Sequence, residues 1–268
     1  MHVFNFLLFY PIFMSIYWIV GSIYYFFIKE KPFNRSLLVK SEHQQVEGIS
    51  FLLACYNESE TVQDTLSSVL SLEYPEKEII IINDGSSDNT AEIIYDFKKN
   101  HDFKFVDLEV NRGKANALNE GIKQASYEYV MCLDADTVID DDAPFYMIED
   151  FKKNPKLGAV TGNPRIRNKS SILGKIQTIE YASIIGCIKR SQSLAGAINT
   201  ISGVFTLFKK SALKDVGYWD TDMITEDIAV SWKLHLFDYE IKYEPRALCW
   251  MLVPETIGGL WKQRVRWA

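Results

Sequence analysis

Cysteine and histidine are scarce in this sequence, and neither is clustered. Cys55, Cys132, Cys187 and Cys249 lie far apart, and three of them fall inside apolar, strand-like runs. That placing suits reduced core thiols better than a disulfide framework or a zinc site, and points to a cytosolic setting for the soluble part. His2, His43, His101 and His235 are equally scattered. A metal here is therefore a hard, oxygen-liganded cation held by Asp, which narrows it to Mg2+ or Mn2+. There is no run of Lys and Arg interleaved with aromatics, and the formal net charge is -6, which argues against nucleic acid as a partner. No low-complexity tract interrupts the 268 residues, of which 47% are hydrophobic and 13% aromatic, so the chain reads as folded throughout.

The longest apolar run covers residues 4–28, without a charged side chain, which is enough to cross a bilayer as a helix. A cleaved signal peptide is the rival reading. It is disfavoured because the run is too long, lacks a basic start and has no small-residue cleavage site before Lys29. Lys29, Lys31, Arg35 and Lys40 follow the run, whereas Met1, His2 and Val3 alone precede it, so the positive-inside bias places the rest of the chain in the cytoplasm at the cell membrane. The expected organisation is a transmembrane helix over 1–28, a cytoplasmic linker over 29–47, a catalytic domain over 48–250 and an interfacial helix over 251–268.

Beyond the linker the pattern is strand, helix, strand. Ile49–Cys55 is an apolar run of strand length, Val62, Leu66, Val69 and Leu70 recur at helical spacing, and Ile79–Ile82 is a second buried strand. Asn83–Asp88 supplies turn residues, Asn89 with Glu92 is expected to form a capping box, and Ile93, Ile94 and Phe97 give the next helix its apolar face. Phe103–Leu108, a helix carrying Ala115, Leu118 and Ile122, and Tyr129–Leu133 continue the alternation. The fold class is therefore α/β with a doubly wound, mostly parallel sheet. Further short strands are expected at Gly158–Gly162, Gly203–Phe208 and Ile241–Tyr243, and a helix from Glu226 to Phe237. At the end Ile257, Leu260, Trp261, Val265 and Ala268 line one side of a helix, a profile that fits a membrane surface and a core-facing helix equally.

In such sheets ligands bind beyond the carboxyl ends of the strands, and the polar clusters fall there. Tyr56 and Glu58 follow strand one, Asp84 follows strand two, and Asp134-Ala135-Asp136 follows strand four. An Asp-x-Asp pair at a buried strand's end can place a carboxylate on a divalent metal that stabilises a leaving diphosphate; Asp140–Asp142 reads instead as a solvated helix start. Asp84 could accept a hydrogen bond from a base N–H on which Tyr56 stacks, or simply form the turn beside Gly85. Lys114 opens a helix, where a cation and free backbone N–H groups favour phosphate. Thr225-Glu226-Asp227 stands at another helix start, as N-cap or as general base. Gln263, Arg264, Val265, Arg266 and Trp267 offer a diphosphate-binding cation beside an aromatic plane. Arg165 and Arg167 could also meet phosphate.

Taken in order, Asp84, Asp134-Ala135-Asp136, Thr225-Glu226-Asp227 and Gln263–Trp267 resemble the D, DxD, TED, QxxRW series of processive family 2 glycosyltransferases. The stretches Phe51–Glu60, Ile79–Thr90 and Arg112–Asn119 are similar to the members that polymerise N-acetylglucosamine for biofilm matrix. The resemblance implies a GT-A domain, UDP-N-acetylglucosamine as donor, inversion in a single displacement, and a β-1,6-linked product. By the same resemblance Asp227 is the catalytic base beside Glu226. Tyr56 and Asp84 contact uracil, Glu58 belongs to the substrate-binding set, Lys114 and Arg266 hold the diphosphate, and Asp134 holds the nucleotide. Asp136 holds the metal, and Gln263 and Trp267 hold the growing polysaccharide acceptor. It also implies further transmembrane helices after Trp267 and a small membrane partner subunit. Chitin-, hyaluronan- or cellulose-like synthesis, and a non-catalytic UDP-sugar-binding module, are the alternatives.

Overall fold

A computed structural model describes residues 2–31, 46–196 and 198–267, the side chains of 2–5 and 267 excepted. Most of the expected linker, with Arg35 and Lys40, lies outside the described residues. Eight strands form one sheet: β1 (Ile49–Cys55), β2 (Lys77–Asp84), β3 (Lys104–Leu108), β4 (Tyr129–Asp134), β5 (Val138–Ile139), β6 (Leu157–Ile166), β7 (Phe205–Lys209) and β8 (Glu240–Met251). Their order is β3-β2-β1-β4-β7-β6-β8-β5. β1 pairs in parallel with β2 and β4, β2 with β3, and β6 with β8, whereas β4–β7, β6–β7 and β5–β8 are antiparallel. Strand order reverses between β1 and β4, which puts the crevice of the doubly wound half at their carboxyl ends.

The central strands read as continuous apolar runs because both faces are covered. Side chains alternate across a strand, so Phe51 and Leu53 of β1, Ile79 and Ile81 of β2, and Met131 and Leu133 of β4 enter one core. Leu52, Ile80, Ile82, Val130 and Cys132 enter the other. Helices α2 (Val62–Ser71), α3 (Thr90–Lys98) and α5 (Ala143–Lys153) cover the first face through Leu66, Ile94 and Met147. Helices α4 (Lys114–Gln124), α8 (Lys210–Asp215) and α9 (Glu226–Leu236) cover the second through Leu118, Leu213 and Leu234. All four cysteines are free, and Cys55, Cys132 and Cys249 are buried.

Three expectations change. Asn89 precedes α3 but makes no side-chain cap, so the Asn89–Glu92 box does not form. Asp88 takes its place, accepting from the Thr90 N–H at 3.0 Å and from the Ser59 N–H at 3.2 Å, and so ties the loops after β1 and β2 together. β8 runs for 12 residues rather than the three expected, because Pro245 and the charged pair Glu244–Arg246 mask its apolar pattern. The strand absorbs Pro245 at a register shift opposite Thr161 and Asn163, where the Asn163 amide donates to the Pro245 carbonyl at 2.8 Å. β7 starts at Phe205, which leaves Gly203 and Val204 in the preceding loop.

The N-terminal helix α1 (His2–Tyr25) continues into a π-helical turn, Phe26–Glu30. Residues Phe6–Glu30 are long and apolar enough to cross a membrane, with mean hydropathy 1.8 and the most apolar window unburied. The helix is nevertheless held to the domain. α6 (Ile172–Tyr181), a π-helical stretch (Ala182–Ile188) and α7 (Lys189–Leu194) form a bent helical run. From it Ser191 donates to the Trp18 carbonyl at 2.7 Å, and Arg190 makes a two-pronged ion pair with Glu30 at 2.6 and 3.0 Å. A side chain at Gly21 would overlap the Ser191 hydroxyl.

Asp150 of α5 is 2% exposed and is paired with Lys242 at 2.5 Å, while its second oxygen has no donor among the described residues and the buried Glu244 stands beside it. Burial first, and then the charge of Glu244, push the Asp150 carboxyl up to about 7 against the pull of Lys242. The folded chain thus binds a proton that the unfolded chain releases near pH 4, so this group loses stability as pH rises from about 4 to about 7. Asp150→Asn is expected to unfold at a higher temperature than wild type at pH 8, by on the order of 1–4 kcal/mol of stability, with the two converging near pH 4. Thermal unfolding of the detergent-solubilised protein across that range checks it; a difference that does not grow with pH would remove the assignment.

Candidate active site

The carboxyl ends of β1, β2 and β4 carry the polar clusters, and hydrogen bonds between loops fix their positions. Asn57 adopts a left-handed conformation, φ 54°, and its side-chain oxygen accepts from the Ser87 N–H at 2.8 Å, stitching the β1 loop to the β2 loop. Asp84 at the end of β2 is 2% exposed and accepts from the Arg112 N–H at 3.1 Å and the Gly113 N–H at 2.9 Å. Gly85 beside it has φ 63°, and a Cβ there would come within 2.5 Å of the Asn111 nitrogen. Backbone approaches that closely only where the side chain is absent. The result is a fixed start for α4, whose first residue is Lys114.

Lys114 is the electrostatic centre of the site. Its ammonium pairs with the Asp134 carboxylate, donates to the Gly203 carbonyl at 2.9 Å and lies 3.6 Å from Glu226. Burial works against its charge, but Asp134, Glu226 and Asp227 prevail and raise its pKa above the ordinary lysine value. Glu226 and Asp227 occupy the first turn of α9. Asp227 accepts from the Gly203 N–H at 3.2 Å through one oxygen and from the Ile228 N–H at 2.9 Å through the other. Burial raises Glu226, and the Lys114 charge offsets part of that rise.

Beside Lys114 the carboxylates of Glu58, Asp134 and Asp136 repel one another. Among the described residues Asp136 has one hydrogen bond, from the Thr137 hydroxyl at 3.2 Å. Burial, then Asp134 and Glu58, push Asp136 up to about 7, and burial also raises Glu58. Excess negative charge of this kind suits a hard cation. Among the described residues no three His, Cys, Asp or Glu side chains converge to cage a metal. A cation here would take one or two carboxylates from the protein, with phosphate and water completing its shell, as Mg2+ usually does.

These groups line a cavity of about 580 Å³, ordinary in size for a small-molecule site. Of the residues singled out in the sequence, Tyr56, Glu58, Lys114, Asp134, Asp136, Glu226, Asp227, Gln263 and Arg266 meet there. The last two come from α10 (Ile257–Trp267), which the Arg264–Glu180 ion pair, 2.5 Å, ties to α6. The Gln263 side-chain oxygen is buried with no donor among the described residues. The structure does not place Asp84 among the lining residues; it lies beneath them, holding the α4 loop. The Trp267 side chain lies outside the described residues. Arg165 and Arg167 do not line the cavity, and Arg167 pairs with Asp64 at 2.7 Å. Sequence reasoning missed Lys189, Glu180, Tyr181 and the segment Thr200–Val204, all of which line the cavity. No local pattern marks them, because tertiary packing alone brings them to the rim.

The domain thus has three layers, with Glu58 beyond β1, Asp134 and Asp136 at and after the end of β4, and Glu226 and Asp227 at the start of α9 lining one cavity. The chain belongs to glycosyl transferase family 2, whose family model matches residues 50–217. It is 99% identical over its whole length to the poly-beta-1,6-N-acetyl-D-glucosamine synthase of Staphylococcus epidermidis, and 78% identical to that of Staphylococcus aureus strain COL. The chain spans 65% of the length of each of these relatives. Among solved structures it is similar to the mannosyltransferase PcManGT of Pyrobaculum calidifontis in complex with GDP-Man and Mn2+, with a TM-score of 0.68 at 20% identity over 94% of this chain and 70% of that one. It is also similar to S. aureus TarS 1–349 in complex with UDP-GlcNAc, with a TM-score of 0.59 at 20% identity over 78% and 59%. At that identity the two structures establish the fold.

Proposed function

We propose that the chain is the anchor and catalytic part of a membrane-bound, inverting, processive glycosyltransferase that polymerises N-acetylglucosamine from UDP-N-acetylglucosamine into a β-1,6-linked polysaccharide for biofilm matrix. The observation that carries this reading is the cavity that Asp134, Lys114, Glu226 and Asp227 line together, with Lys114 paired to Asp134 and Glu226, in a chain 99% identical to a synthase of that product. The proposed division is a membrane anchor at residues 1–28, a cytoplasmic linker at 29–47, a catalytic domain at 48–250 and an interfacial segment at 251–268, whose helical part is α10, Ile257–Trp267. A small membrane subunit is the expected partner.

In the proposed reaction an acceptor hydroxyl attacks the anomeric carbon of the donor from the face opposite UDP. The C1–O bond to the diphosphate breaks as the new glycosidic bond forms, and the hydroxyl proton passes to Asp227. The two N–H groups that hold the carboxylate fix its oxygens against the cavity before substrate arrives. Lys114, poised between Asp134 and Glu226, exchanges part of that pairing for the diphosphate, with Arg266 beside it. Tyr56 stacks on uracil, with Asp84 behind it setting the loop that limits the base pocket. Asp134 holds the nucleotide, and Gln263 and Trp267 hold the acceptor. Asp136, with Asp134, would hold Mg2+ or Mn2+, and the cation would neutralise charge developing on the leaving diphosphate.

The test uses membranes carrying the chain at the length of its 99%-identical relative, given labelled UDP-N-acetylglucosamine or UDP-glucose with Mg2+ or Mn2+. Retained β-1,6-linked polymer from the amino-sugar donor alone is the expected result. Incorporation of glucose instead would overturn the substrate, and UDP binding without transfer from either donor would overturn the enzymatic reading.

A further inference from the structure

Lys189, the first residue of α7, is 5% exposed yet lines the cavity. Its ammonium donates to the Thr200 carbonyl at 2.6 Å, and among the described residues this is its one hydrogen bond. An ammonium carries three donors, and leaving two unmet in a buried wall is costly. Thr200 opens a segment in which each following residue is pinned: Ile201 N–H to the Ser231 hydroxyl at 3.0 Å, Ser202 N–H to the Thr161 hydroxyl at 2.9 Å, and Gly203 N–H to Asp227 at 3.2 Å. Ser231 donates in turn to the Asp227 carbonyl at 2.6 Å, and Lys114 to the Gly203 carbonyl at 2.9 Å. One short stretch of backbone therefore joins Lys189, Lys114 and Asp227. The closing of this network leaves little space at Gly203, where an added Cβ would lie 3.1 Å from an Asp227 oxygen.

We propose that Lys189 is an acceptor-binding residue beside the base: its bond to Thr200 steadies the segment that holds Asp227, and its two remaining N–H donors meet an uncharged oxygen, hydroxyl or amide carbonyl, of the acceptor sugar. The proposal rests on the glycosyltransferase reading above. The charge acting on Lys189 is that of Asp227 on α9, while Lys114 and Glu226, and the paired Glu180 and Arg264, line the same cavity. Burial lowers Lys189 to about 8 and Asp227 opposes the fall, so the ammonium is present at neutral pH and discharges just above it. The anionic diphosphate has Lys114 at the donor end, which leaves the free N–H donors of Lys189 to the neutral oxygens of the acceptor sugar.

Membranes carrying the chain at the length of its 99%-identical relative are assayed with varied N-acetylglucosamine oligosaccharide acceptor and varied UDP-N-acetylglucosamine. Lys189→Met is expected to lower kcat/KM for the acceptor by about 10- to 100-fold, the loss of hydrogen bonds to a charged group, while UDP affinity stays that of wild type. Lys189→Arg, which keeps its charge, is expected to recover much of the rate and to hold it at alkaline pH where wild type declines above about 8. Unchanged acceptor kinetics in Lys189→Met, loss of UDP binding in that variant, or an arginine variant with the wild-type alkaline decline would each overturn the proposal. Wild-type membranes that transfer no sugar would overturn the underlying reading of the site instead.

Discussion

Asp227→Asn is expected to lose sugar transfer by about 10²- to 10⁴-fold, the usual contribution of a general base, while UDP binding survives. Among the described residues Asp227 makes no hydrogen bond to Asp134 or Lys114; its partners there are the N–H groups of Gly203 and Ile228. The donor end of the cavity therefore keeps its own framework when the carboxylate is neutralised. An amide oxygen can still accept one of the two N–H bonds, so the side chain stays near its place, but no proton acceptor of carboxylate basicity remains for the attacking hydroxyl. Transfer rates and UDP titrations on the same membranes separate the two effects. Full activity in the variant would show that the proton leaves by another route, and joint loss of UDP binding would show that the change reaches the donor end.

Legibility of the fold in the sequence follows burial. β1, β2 and β4 are covered on both faces, so their apolar runs stood out, and the helices between them showed one apolar side each. β8 was legible only at Ile241–Tyr243, because the strand next buries Glu244, matched by Arg246, and takes in Pro245 at a bulge. β5, two residues long, gives no periodicity at all. Asn89 with Glu92 satisfied a local capping pattern, but Asp88 serves two loops at once and takes the position, a tertiary gain that local pattern cannot register. The acidic clusters were legible because topology alone carries strand ends to one rim. Lys189 was not, since a lone lysine in a helical stretch looks solvated until the fold closes over it. Asp84 was legible for its type and place, but not for the two backbone N–H groups that its carboxylate accepts from the loop that starts α4.

Asp136→Ala is expected to act in opposite directions on the metal-free and metal-loaded protein. Without metal, Asp136 stands near Asp134 and Glu58, half-buried, with one neutral hydrogen bond and with the nearest ammonium committed to Asp134 and Glu226. Removing a carboxylate from that set relieves repulsion, so the metal-free variant should unfold at a higher temperature than metal-free wild type at neutral pH. With Mn2+ and UDP-N-acetylglucosamine the order should reverse, because a cation bound only to the folded state stabilises it in proportion to its affinity. Donor affinity in the presence of metal should fall by more than the about 10- to 100-fold that loss of an outer-shell contact costs, and chelation should leave the variant unaffected while weakening wild type. Thermal unfolding and donor titration, each with metal and with chelator, read both signs. A variant whose donor affinity still responds to metal as wild type does would move the cation to other oxygens, and a metal-free variant less stable than wild type would show that Asp136 supports the strand end rather than straining it.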